Sequence, residues 1–139
     1  MGESRKMNIY KIEQFKKREI KAREIFEIKP ISKKEAKGII KKYHYLEKKE
    51  FMYTVTYGLF EKESNELLGC AVFGTVGGIS TLKGWFGESN KNSDNYLELT
   101  RLVMNPVLNG TNATSYLLGN SIKDIKKTMK NIRAIISLD

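Results

Sequence analysis

Tyr96-Leu97-Glu98-Leu99-Thr100-Arg101-Leu102-Val103-Met104, then Asn109-Gly110-Thr111-Asn112-Ala113-Thr114-Ser115, then a run carrying Leu117, Leu118, Ile122 and Ile125, decides the fold. The first segment alternates as a strand, with Leu97, Leu99, Arg101 and Val103 on one face and Glu98, Thr100 and Leu102 on the other. Asn105-Pro106 ends it. The polar turn that follows offers Thr114 or Ser115 as cap to a helix through Leu117 and Ile125. A strand feeding a helix through such a turn gathers free backbone N–H groups and the positive end of a helix dipole, which suits an anion or an acyl oxygen.

Working outward, Phe26–Ile31 alternates as a short strand, and Pro30 places it at a sheet edge or strand end. Ser32 and Glu35 form a capping box for a helix with Ala36, Ile39, Ile40 and Tyr43 on one face and Lys33, Lys34, Lys37, Lys41 and Lys42 around the rest. Met52–Phe60 and Leu67–Gly74 read as a hairpin across the polar segment 61–66. Residues 74–87 form a glycine-rich loop with Trp85 and Phe86, and 131–138 give a last strand of the buried parallel kind. The order strand, helix, hairpin, strand, helix, strand predicts an α/β (α+β) domain: a mixed, mostly antiparallel sheet with helices on both faces. Residues 1–22, rich in Lys, Arg and Glu, read as a basic N-terminal arm or helix ahead of a domain over 23–139.

The 139 residues allow one core. Twenty-five Lys and Arg against sixteen Asp and Glu give a net +9. That balance favours a polyanionic partner through counterion release, and the same Lys-rich composition also follows from an AT-rich genome. The single cysteine, Cys70, sits among Leu68, Gly69, Ala71 and Val72 as a core thiol and excludes an internal disulfide. No signal peptide or apolar run of membrane-spanning length is present, so the expectation is a cytoplasmic protein with no membrane partner.

Three groups of residues carry candidate chemistry. His44 is the one side chain whose ordinary pKa suits it as a base or neutral metal ligand near neutrality; its other reading is a helix-end histidine bonded to a backbone carbonyl. Arg101 on an apolar face needs a carboxylate, Glu98 or Asp139, or a cleft in which it grips a phosphate or carboxylate; the alternative is a solvent-reached edge position. Asn112 and Ser115 either bind a small substrate or simply make the turn and cap the helix. Gly110 is the only glycine in that turn, too few to wrap a coenzyme A pyrophosphate closely, which argues against acetyl-CoA. Trp85 and Phe86 either stack on an extruded base or tuck the loop over the core.

These residues resemble the phage Mom family, DNA-modification proteins of the GNAT acetyltransferase-like superfamily that convert adenine to a carbamoylmethyl derivative and blunt host restriction. The resemblance runs over 26–139: His44 in Tyr-His-Tyr, Gly69 in the leucine-glycine turn of the hairpin, Glu98-Leu99-Thr100-Arg101-Leu102, Asn112-x-x-Ser115, and Ser137 with Asp139. It departs from the family at Ser137-Leu138-Asp139, one residue short of Ser-x-Ala-Asp, and lacks the family's C-terminal continuation. It implies transfer of a carbamoylmethyl group to the exocyclic amine of adenine in double-stranded DNA with the target base flipped out. His44, Asp139 and Ser115 would be catalytic; Arg101, Asn112, Glu98, Trp85 and Phe86 would hold the substrate. Lys33, Lys34, Lys37, Lys41 and Lys42 would touch nucleic acid, and the resemblance also implies iron on His44 and Asp139. Two other readings stand beside this one: a non-catalytic relative that binds nucleic acid or blocks a host defence protein, and an N-acetyltransferase acting on an amine or a lysine. A homodimer that replaces the absent strands is a further expectation.

Overall fold

Val55–Glu61 (β2) and Leu67–Thr75 (β3) place apolar residues on both sides of the chain, and they pair antiparallel at the middle of a five-stranded sheet ordered β1-β2-β3-β4-β5. The computed structural model describes residues 8–43, 54–75 and 96–137. Phe26–Pro30 (β1) lies antiparallel against β2 at one edge, where the missing N–H of Pro30 costs no ladder bond. Tyr96–Met104 (β4) runs antiparallel to β3, and Ala134–Ser137 (β5) is parallel to β4, from Tyr96 opposite Ala134 to Leu99 opposite Ser137. The sheet is therefore mixed and mostly antiparallel, as the alternation predicts.

Helices cover both faces. Ile9–Lys16 (α1), the single turn Ala22–Ile25 (α2) and the long helix Ala113–Thr128 (α4) lie on one face. There Ile12, Phe15, Ile25, Leu117 and Ile125 pack with Tyr57, Leu59, Ala71, Phe73 and Leu97 of the sheet. Lys33–Tyr43 (α3) covers the other face, its Ala36, Ile39 and Ile40 against Cys70, Val72 and Val103. The Ser32–Glu35 capping box forms as the sequence requires: Glu35 N donates to Ser32 Oγ and Ser32 N to Glu35 Oε1, each at 3.0 Å. Those bonds hold the Glu35 carboxyl below its ordinary pKa.

Two irregularities shape the sheet. Leu59 pairs with Gly69 while Phe60 pairs with Leu67, so Leu68 is an extra residue in β3. Gly69, expected in the hairpin turn, lies instead within the strand beside this bulge. A Cβ there would come within 2.8 Å of the Val103 carbonyl and 2.7 Å of Met104 Sδ. The second bulge is in β4: Val72 pairs with Arg101 and Phe73 with Leu99, leaving Thr100 extra. Its hydroxyl donates to the Val72 carbonyl at 3.1 Å. A bulge inverts the alternation beyond it. The expectation that Arg101 and Val103 share a face with Leu97 and Leu99 is thereby corrected: Leu97 and Leu99 face α4, whereas Arg101 and Val103 face α3.

The N-terminal segment is tied to the sheet at a buried acid. Glu61, 1% exposed, accepts from Asn8 N at 2.8 Å through one oxygen and from Ser64 Oγ at 2.6 Å through the other. Asn8 in turn caps α1 by accepting from Lys11 N, and Lys11 pairs with Glu63 at 2.8 Å.

Two substitutions test this packing. Ile12→Ala removes a fully buried side chain and is expected to lower unfolding free energy by about 2–5 kcal/mol in urea titration. Gly69→Ala is expected to destabilise by about 1–3 kcal/mol, because the Val103 backbone cannot move aside as a flexible side chain would.

Candidate functional site

Beyond Met104 the chain makes a short turn of 3-10 helix, Pro106–Leu108, begun by Asn105, whose side chain accepts from Val107 N at 2.9 Å. Leu108 is buried and pins the turn, Thr111 Oγ1 donates to the Leu108 carbonyl at 2.6 Å, and Gly110 takes φ +81, a conformation suited to glycine. The helix then starts at Ala113. Contrary to the expectation from residue type, neither Thr114 nor Ser115 is its cap. Asn112 occupies that position and makes no side-chain capping bond, and Thr111 Oγ1 instead accepts from Ala113 N at 3.2 Å. The earlier start follows from Leu108 and Ala113 both being buried, which fixes how soon the chain must turn back over the sheet. Asn112 and Ser115 are consequently exposed at the start of α4.

Arg101 and Glu98 lie on the α3 face of β4, on either side of the Thr100 bulge, and both are half-buried. Arg101 Nη1 donates to the Thr100 carbonyl at 3.3 Å, so the bulged peptide itself is one of the groups holding the guanidinium. Tyr43, the last residue of α3, packs against the cluster that contains Val103 on this face, and His44 is the next residue in sequence. Ser137 stands opposite Leu99, and Asp139 is the second residue past it. His44, Trp85, Phe86 and Asp139 themselves lie outside the described residues. The sheet therefore gathers Arg101, Glu98 and the attachment point of His44 on its α3 face, and puts Asn112 and Ser115 on the helix that covers the opposite face.

Lys33, Lys34, Lys37, Lys41 and Lys42 are all exposed on the outer side of α3. Cys70 is fully buried in the α3 face of the sheet, and burial pushes its thiol up to about 12, which keeps it protonated and inert as the sequence implies. Among the described residues no three His, Cys, Asp or Glu side chains gather as a metal site, and no helix is long and apolar enough to cross a membrane.

Sequence reasoning missed the concave surfaces. Between α4 and the edge formed by α2, β1 and β2 lies a cavity of about 900 Å³, and a second of about 590 Å³ adjoins it between the start of α4 and the α1–α2 connection. Arg23 and Tyr116 line both. In the floor of the first, Tyr57 OH donates to Asp124 Oδ2 at 2.6 Å; burial and this bond raise the phenol above its ordinary pKa. The pair is 67 residues apart in sequence, and the one hint of it was that Asp124 is the only acid in α4.

A mixed sheet with a bulged central strand feeding a long helix defines the class: this is the GNAT acetyltransferase fold. Solved structures of that fold superimpose on it. An acetyltransferase from Trypanosoma brucei matches with a TM-score of 0.51 at 10% identity over 82% of each chain. A possible acetyltransferase from Clostridium difficile 630 matches with 0.53 at 12% identity, over 83% of this chain and 80% of that one. Within this class the chain belongs to the Mom protein family, whose sequence pattern it matches over residues 25–139. Among curated proteins none matches the chain by sequence.

Tyr57→Phe leaves Asp124 without its buried donor and is expected to cost about 1–3 kcal/mol in thermal or urea unfolding. Because the phenol is raised in the folded state, its contribution is complete below pH 10, the unfolded value, and is lost as pH rises toward the folded one. The wild type is thus expected to lose stability in alkali more steeply than Tyr57→Phe, read by melting temperature across that range.

Proposed function

We propose that this protein is a phage-type DNA-modification protein that transfers a carbamoylmethyl group to the exocyclic amine of adenine and so evades host restriction. The observation that carries the reading is the Mom family match across 25–139, on a fold shared with acyl-transferring enzymes. The amine is inaccessible inside a duplex, so the target base leaves the stack, and the glycine-rich segment after β3, with Trp85 and Phe86, receives it. The amine nitrogen bonds to the carbamoylmethyl carbon as the bond from that carbon to its donor breaks; the donor's leaving group keeps that electron pair, and His44 takes the proton that the amine loses. Asp139 orients His44; Asn112 and Ser115, at the start of the helix over the opposite face of the sheet, stand outside this constellation.

The β4 bulge supports a role for Arg101 in this scheme. By turning Arg101 onto the α3 face, it places a fixed cation beside Glu98 and on the same side as the end of α3, where His44 begins. A guanidinium there holds a carboxylate or phosphate of the donor bidentately, and Glu98 accepts from a donor N–H. Iron enters through the family resemblance, on His44 and Asp139. Were it bound there, it would supply a Lewis acid or redox centre, and His44 and Asp139 would be its ligands in place of base and orienter. Lys and Arg side chains hold the DNA backbone.

Mass spectrometry of nucleosides digested from the DNA of cells expressing the chain tests the reading. An adenosine derivative heavier by the carbamoylmethyl group is expected, falling by about 100-fold or more in His44→Ala. In Arg101→Lys, which keeps the charge and removes the fork, a fall of about 10-fold or more is expected. Unmodified DNA from expressing cells, or full modification by His44→Ala, would overturn it.

A further inference from the structure

The two adjoining cavities form one groove, and its charge is one-sided. Lys16, Arg18 and Lys21 rim the smaller cavity, Lys62, Lys123 and Lys127 the larger, and Arg23 stands between them beside Tyr116. All seven cations are exposed, and no ion pair among the described residues involves any of them. The acids in the same walls are engaged within the protein. Glu24 accepts from Lys21 N at 2.7 Å, Asp124 from Tyr57 OH at 2.6 Å, and Glu27 stands 4.0 Å from Lys29 Nζ. Seven cations against three carboxylates leave the walls net positive, and a concave wall with an excess of one sign focuses that field.

Its dimensions point to a chain of charges rather than a single anion. Asn112, Tyr116, Asn120, Lys123, Asp124 and Lys127 recur at helical spacing on one stripe of α4. From Asn112 to Lys127 that stripe is about 22 Å long at roughly 1.5 Å per residue. A stripe of that length accommodates several successive phosphates of one strand rather than a single anion. The α3 lysines differ in kind: they stand on the outer side of a helix and line neither of these cavities. Four of the seven groove cations, Lys16, Arg18, Lys21 and Arg23, precede the segment that matches the family, so the groove is not a feature of the family segment alone.

We propose that the groove between α4 and the α1–α2–β1 edge is the track for the DNA phosphate backbone. It rests on the reading of the protein as a DNA modifier and names the surface that reading lacks. Tyr116, half-buried where the two cavities meet, stands at its midpoint, with its ring against the sugar or an adjoining base.

Fluorescence anisotropy with a labelled duplex of about 20 base pairs across a salt series, on the full chain, tests it. Two groove variants, Arg23→Gln/Lys123→Gln/Lys127→Gln and Lys16→Gln/Arg18→Gln/Lys21→Gln, are compared with Lys33→Gln/Lys37→Gln/Lys41→Gln on α3, with circular dichroism melts to confirm folding. Each groove triple is expected to weaken binding by about 10-fold or more and to lower the slope of log K against log salt by about 2–3, since each phosphate left unneutralised removes about 0.9. The α3 triple is expected to lower that slope by less than about 1. A larger fall from the α3 triple than from either groove triple overturns the groove, as does a wild-type chain that binds no duplex. If one groove triple does not fold, the other decides. Adenine modification in cells separates the two readings: wild-type modification with groove variants that bind normally removes the groove alone, whereas tight groove-dependent binding without any modification removes the enzyme reading and leaves the groove.

Discussion

One extra residue in the fourth strand governs where the polar side chains of this protein can go. With Thr100 inserted opposite the Val72–Phe73 step, β4 presents Leu97 and Leu99 to the α4 side but Arg101 and Val103 to the α3 side. A regular strand would have driven the Arg101 guanidinium in among Leu59, Phe73 and Leu117, where desolvation would have cost several kcal/mol without a partner. The bulge avoids that burial and gives the core side an uninterrupted apolar surface, Leu97 and Leu99 before it and Leu102 and Met104 after it. The same shift makes the Thr100 carbonyl available to the Arg101 side chain. Core formation and the position of the strand's one cation are thus settled by a single local choice.

Much of the architecture was legible in the sequence because periodicity is a local signal. The capping box at Ser32–Glu35, the Val55–Thr75 hairpin, the edge strand ending at Pro30 and the parallel last strand all follow from alternation, spacing and turn residues. The faces of β4 were not legible, since a bulge is written in the pairing with β3 rather than in β4 itself. The start of α4 escaped for a related reason. Thr114 and Ser115 look like caps by residue type, but burial of Leu108 and Ala113 sets where the chain turns.

The site was legible in part. Arg101 stands out in the sequence as a cation interrupting an apolar strand, although alternation alone puts it on the wrong face. The concave surfaces escaped entirely, because they are built by residues far apart in sequence whose types are ordinary one by one. Lys123 and Lys127 lie in a helix read for its apolar positions, Arg23 stands one residue past the basic arm, and Tyr57 lies within a predicted strand. Only the fold brings them to one wall, and only there does their common sign of charge acquire a direction.

The anchoring of residue 8 onward has a consequence for how the molecule comes apart. Ile12 and Phe15 belong to the same packed cluster as Leu59, Leu97 and Leu117, and Glu61 grips Asn8 from below. Opening α1 alone would expose two large apolar side chains and strip a carboxylate that is 1% exposed of its N–H partner. Local opening of the first helix is therefore opposed by the same packing that holds the sheet, which sets it apart from a fraying terminus.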